Sequence, residues 1–199
     1  MPTPRLLTTD DWPEPELRAA VLAGELVPVG WCWASPAEPQ DPALRARAFT
    51  WRVPDRRAAA ALLTAAWIWG AVARPPDPVE VAVGLRVRVR ADPGVRLREV
   101  QLGADDVVVT GGASVTTPER TALDLLRVPG TGAGEFDGVR AVAVSALVAL
   151  GLVDVERLAD RITALGTVPM ARQAERRLRA LPPLHVPELP GVGRGTDLR

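Results

Sequence analysis

The segment SVTTPERTALDLLR, residues 114–127, constrains the fold more than any other stretch of the chain. It reads as a strand that runs directly into a helix. Thr116 and Glu119 stand three apart, the spacing at which a hydroxyl and a carboxylate cap each other's backbone amides at a helix start. Pro118 falls in the first turn, where a missing N–H does no harm. Arg120 and Asp124 are four apart and share one side of the helix, which favours an internal ion pair. Leu123, Leu125 and Leu126 supply apolar contacts.

The rest of the chain is organised around this junction. Residues 14–23 are helical in propensity, with Leu17, Val21 and Leu22 toward one face and Thr8 or Thr9 as candidate caps. Gly24 ends that helix in the manner of a left-handed cap. Residues 26–34 alternate and break at Gly30, which suits a short hairpin. A Pro-rich stretch at 35–42 marks a soft boundary. The Ala-rich run 55–70 predicts one helix, capped by Asp55 and stopped by Gly70. Strands are expected at 79–83, 86–90, 95–102 and 106–110, with Gly111 and Gly112 as a turn. Helices follow at 117–127, 139–150, 155–165 and 169–181, with Asp154 and Thr167 capping the last two. A Gly-rich loop spans 129–138. Residues 182–199, rich in Pro and Gly, are expected to form a flexible tail. The fold class is therefore α+β, with a sheet of four or five strands and a helical C-terminal segment.

Composition removes several kinds of chemistry. All 24 basic residues are arginine, so lysine Schiff bases and phosphate-loop lysines are excluded. Cys32 is the single cysteine and His185 the single histidine, which excludes an intrachain disulfide and a His/Cys zinc cluster. A Ser-His-Asp or Cys-His site would have to recruit His185 from among the tail prolines. Asp105 and Asp106 read as a solvated turn before a strand. Trp67 and Trp69 point to different faces of their helix and read as core. No catalytic residue, metal ligand or cofactor is expected. No signal-type or membrane-spanning apolar run occurs, so the cytoplasm is the expected location.

The junction carries a resemblance as well. TTPERTALDLL is similar to the T-x-P-x-R-T-x-x-D-L signature of the AbiEi-like family of antitoxins and transcriptional regulators, here Thr116, Pro118, Glu119, Arg120, Thr121 and Asp124. LRAAVLAGELVPVGWCWA resembles the end of that family's N-terminal winged helix-turn-helix, and AAAALLTAAWIWG resembles its "AAALWG" helix. The matches run in family order over roughly residues 10–180. The resemblance implies a degenerate winged-helix-like unit at 1–36 and an AbiEi-like α/β domain at 43–181. It further implies a cytoplasmic DNA-binding regulator without enzymatic activity that represses its own operon. Its implied partners are operator DNA and a cognate nucleotidyltransferase-type toxin.

One departure bears on DNA binding. The family's basic wing is replaced by Leu26-Val27-Pro28-Val29-Gly30-Trp31. Residues 1–44 carry two arginines against seven carboxylates, a net −5. Phosphate binding needs cations along the backbone, so this unit is a poor DNA reader. The candidate DNA contacts lie elsewhere: Arg45, Arg47, Arg52, Arg56 and Arg57 around the Ala-rich run, and Arg86, Arg88 and Arg90, which alternation gathers on one strand face. Arg96 and Arg98, and Arg172, Arg176, Arg177 and Arg179, form further basic groups. The alternative is a protein-interaction module of the same lineage that has lost DNA binding.

Overall fold

The computed structural model describes residues 6–89, 93–129 and 136–182. A first helix, α1 (Glu14–Leu22), leads into a hairpin of β1 (Val27–Val29) and β2 (Cys32–Ala34). Gly24 closes α1 at φ +76°, as a Schellman turn requires: its N–H reaches the Val21 carbonyl and that of Glu25 the Ala20 carbonyl. Neither Thr8 nor Thr9 caps α1. The prolines delay its start until Pro13 is the N-cap, while Thr8 donates to Asp11 instead. Only Leu17 of this helix is buried; Leu22, expected on the inner face, is 90% exposed.

A five-stranded mixed sheet forms the centre, in the order β5-β4-β3-β7-β6. Its strands are β3 (Ala58–Ala60), β4 (Val79–Val83), β5 (Val95–Glu99), β6 (Val107–Thr110) and β7 (Ala113–Thr116). β3 runs parallel to β7, and β4 parallel to β5; the other two pairings are antiparallel. One face is covered by α2 (Pro42–Arg52) and the hairpin. The other is covered by α4 (Pro118–Arg127), α5 (Gly138–Ala149), α6 (Val155–Ala164) and α7 (Ala171–Arg179). α3 (Leu62–Ile68) contributes to both cores. Strand alternation divides β4 cleanly: Val79, Val81 and Val83 join the α2 core, while Ala82 joins the opposite one.

Three expectations are corrected. The run 55–70 is not one helix. Ala58–Ala60 form the middle strand of the sheet, fully buried, and only 62–68 are helical. Alanine favours a helix in isolation, but pairing with β4 on one side and β7 on the other at the centre of the sheet overrides that propensity. Asp55 consequently caps nothing; it accepts from the Arg57 amide and side chain in a turn. Second, residues 86–89 form no strand. β5 is parallel to β4, so the chain must cross back over the sheet between them, and these residues belong to that connection. Arg86 itself adopts φ +65°. Third, Thr167 caps no helix: Met170, in the left-handed region, precedes α7. The segment 42–52, not foreseen as a helix, is one. Asp41 caps it by accepting from the Leu44 amide, and Pro42 sits in its first turn. The tail at 183–199 and Arg90 lie outside the described residues.

The β6–β7 turn shows why glycine is needed there. Gly111 has φ +54°, and a Cβ on it would lie 2.2 Å from the Ala43 carbonyl oxygen at the start of α2. The hairpin tip is thus pressed onto the α2 backbone.

Candidate functional site

β7 enters α4 through Thr116 and Thr117, and the cap is shifted by one residue from expectation. Thr117 is the N-cap, its Oγ1 accepting from the Arg120 amide at 3.3 Å. Thr116 is buried and turned inward: its Oγ1 lies 2.7 Å from Thr121 Oγ1, and its carbonyl accepts from Trp69 Nε1 at 2.8 Å. Glu119 does not reach back to the cap. It accepts from Arg161 Nη1 of α6 at 3.1 Å.

Arg120 is the hub. It is 8% exposed and donates through Nε to Asp124 Oδ2 at 2.8 Å, the foreseen ion pair. It also donates through Nη1 to Asp106 Oδ2, and both Nη atoms reach the Gln101 carbonyl at 3.3 Å. Asp106 is a correction. It is not a solvated turn residue but a buried carboxylate that also accepts from Arg161 Nη2 and the Gly103 amide. Burial alone pushes its carboxyl up, yet the Gly103 amide and the two guanidiniums outweigh this and hold it below the ordinary range. The junction, the β6 entry and α6 are thus tied by alternating charges. A second buried carboxylate, Glu80 on β4, accepts from the Leu63 amide at 3.0 Å and from Arg140 Nη2 of α5 at 2.7 Å. It caps α3, whose own N-cap residue Ala61 offers no side-chain acceptor. All of these groups are occupied with one another, in the manner of fasteners.

The candidate arginines divide. Arg45 is half-buried and engaged: Nη1 donates to the Trp67 carbonyl at 2.7 Å, the guanidinium stands over the Trp67 ring, and burial lowers its pKa. Arg47 and Arg52 are half-buried and held by neighbours. Arg57 is exposed but paired with Asp55 at 2.6 Å. Arg56, Arg86 and Arg88 are exposed. Register brings the first two to one end of the sheet: Ala58 at the start of β3 lies opposite Val83 at the end of β4, so Arg56 just before β3 and Arg86 just after β4 flank that end, and Arg88 follows on the connection to β5. Of the C-terminal group, Arg177 is buried, donating to the Leu126 and Val128 carbonyls that end α4, while Arg172, Arg176 and Arg179 are exposed on α7.

Cys32 offers no chemistry. It is fully buried, and burial, with the charges of Asp10 and Asp11 adding, pushes its thiol up to about 12. We expect the native chain at pH 8 to leave Ellman's reagent unreduced and the urea-unfolded chain to titrate one thiol; prompt native reaction contradicts the burial. No helix among the described residues is long and apolar enough to cross a membrane. No group of three or more His, Cys, Asp or Glu among them could hold a metal ion.

The missed features, Asp106, Arg161 and Glu80, share one trait: their partners are distant in sequence. Asp106 meets Arg161 across a separation of 55 residues, and Glu80 meets Arg140 across 60.

No curated protein matches the sequence. Among solved structures, the RV2827C protein from Mycobacterium tuberculosis is similar at 19% identity and a TM-score of 0.42, over 89% of this chain and 75% of that one. The family model of the AbiEi antitoxin C-terminal domain matches residues 58–181, which run from β3 through the whole sheet and the interlocked helices to the end of α7. With that match spanning most of its length, the chain belongs to the AbiEi antitoxin family.

Proposed function

We propose that this protein is the antitoxin of a toxin–antitoxin pair and that it represses its own operon by binding operator DNA, without catalysis of its own. The cognate toxin is of the nucleotidyltransferase type, and the pair works in the cytoplasm. The family supports the antitoxin role. The observation that supports DNA contact is the exposure of Arg56 and Arg86 at one end of the sheet, with Arg88, also exposed, on the connection that leaves it. Exposed guanidiniums on such a surface suit phosphates. Arg45 drops out of the DNA-contacting set because its guanidinium is engaged inside the fold.

The test is a gel-shift titration of the full chain against DNA from upstream of its own gene at several salt concentrations. Each phosphate contact contributes about −0.9 to the slope of log K against log salt. The triple substitution Arg56→Ser, Arg86→Ser, Arg88→Ser is therefore expected to flatten that slope by about 2–3. Absence of binding by the unsubstituted chain at low salt sinks the operator reading. A second reading then stands, a protein-interaction module that has lost DNA binding, and the acidity of residues 1–44 favours it.

A further inference from the structure

The N-terminal unit has a surface that neither the sheet nor the junction uses. α1 is nine residues long with one buried residue, and a helix so short is marginal without packing. A groove of about 790 Å³ lies along one flank, floored and walled by Leu7, Trp12, Leu17, Ala20, Ala23 and Leu26. Trp12 is 53% exposed at its edge. A second concavity of about 640 Å³ follows the opposite flank, where Leu22 stands 90% exposed. The small residues Ala20 and Ala23 leave room for another backbone to approach α1 closely.

The charge around this apolar floor is one-sided. Glu16 and Glu25 line the groove itself. Asp10, Asp11 and Glu14 belong to the same unit, whose single described cation, Arg18, is spent on Glu14 at 2.7 Å. Nucleic acid is repelled by such a surface, and an uncharged apolar segment leaves the carboxylates without partners. An occupant must bring an apolar ridge and a flanking positive charge. An amphipathic helix with apolar residues at i, i+3, i+4 and i+7 and arginine or lysine beside them meets both demands.

We infer that the groove that α1 forms with Leu7, Trp12 and Leu26 is a docking site for a cationic amphipathic helix of a partner protein. The groove lining includes none of Arg56, Arg86 and Arg88, so substitutions at the two surfaces are separable.

The probe is a synthetic helix of leucine and arginine in that spacing, titrated into the full chain by calorimetry without DNA. Two control peptides are its scrambled isomer and a version with glutamate in place of arginine. The expected result is micromolar binding of the first peptide alone, with one site per chain. The double variant Glu16→Gln, Glu25→Gln, which changes only groove-edge carboxylates and whose fold is checked by circular dichroism, should bind roughly fivefold more weakly or worse. Ala20→Trp, which fills the groove, should abolish binding; if it fails to fold, the double variant carries the test. Equal binding of the scrambled peptide reduces the effect to net charge and overturns the inference. So does binding of the glutamate peptide, no binding at low salt, or a self-associated chain whose second copy already fills the groove.

Discussion

Replacing Arg120 with methionine is expected to cost about 3–5 kcal/mol of folding stability, a large share of the roughly 5–15 kcal/mol that holds a domain folded. The reason is asymmetry. Arg120 is 8% exposed and faces two buried carboxylates, Asp106 and Asp124. Asp106 keeps Arg161 and the Gly103 amide when the guanidinium is removed, but Asp124 loses its ion-pair partner within a helix whose 120–126 stretch is entirely buried. An uncompensated buried charge is far more costly than the intact pair is favourable. The paired variant Arg120→Met with Asp124→Leu should therefore recover much of the loss, because it removes both charges. Urea unfolding followed by circular dichroism measures this; a loss below about 1 kcal/mol for the single variant contradicts the hub role. The pH profile offers a check of sign. Asp106 titrates below its ordinary range in the folded chain, so its contribution is present above the unfolded carboxylate pKa, near 4, and is lost as pH falls through the folded value. Acid sensitivity should thus appear below about pH 4 and be blunted by Asp106→Asn.

The same junction shows what a sequence can disclose. Strand, proline and the Arg120–Asp124 pair are all local, and each is legible from spacing alone. The capping error is also local in origin: Thr116 and Thr117 are adjacent hydroxyls with equal claim to the cap. The choice falls to Thr117 because Thr116 is consumed by Thr121 and Trp69, contacts that only the folded chain makes. Longer-range facts were harder to read. Alanine at 58–60 looks helical until β4 and β7 pair with it at the centre of the sheet. The alternating run from 86 looks like a strand, but β5 pairs parallel to β4 and residues 86–89 belong to the connection. Asp105 and Asp106 look alike, yet one is exposed and the other is buried by Arg120 and Arg161. The candidate site follows this pattern. Which residues are arginine is plain from the sequence; that Arg45 is engaged by Trp67 depends on the fold, and that Arg56 shares a sheet end with Arg86 depends on register.

Trp67 makes the link between the N-terminal unit and the sheet, and its removal has the second large expected effect. Its ring is 2% exposed and meets Trp31 of the hairpin edge-to-face at 5.5 Å. It also fills the space beneath Gly30, where an added Cβ would come within 2.8 Å of the indole. Arg45 holds the backbone of the same residue from α2. One side chain therefore closes the gap between α3, α2 and the β1–β2 turn. Trp67→Ala should cost about 3–5 kcal/mol, as large-to-small changes of buried tryptophan do. The loss should fall unevenly. β1 and β2 are three residues each, too short to persist alone, so amides at 27–34 should exchange with solvent well before those of β4 or α4. Hydrogen exchange read by mass spectrometry gives both quantities. If protection falls equally in β4, α4 and the hairpin, Trp67 is an ordinary core residue. If it falls first at the hairpin, the indole is the attachment point of the acidic unit, and Trp67→Ala should weaken any partner docked on α1 while leaving the Arg120 network intact.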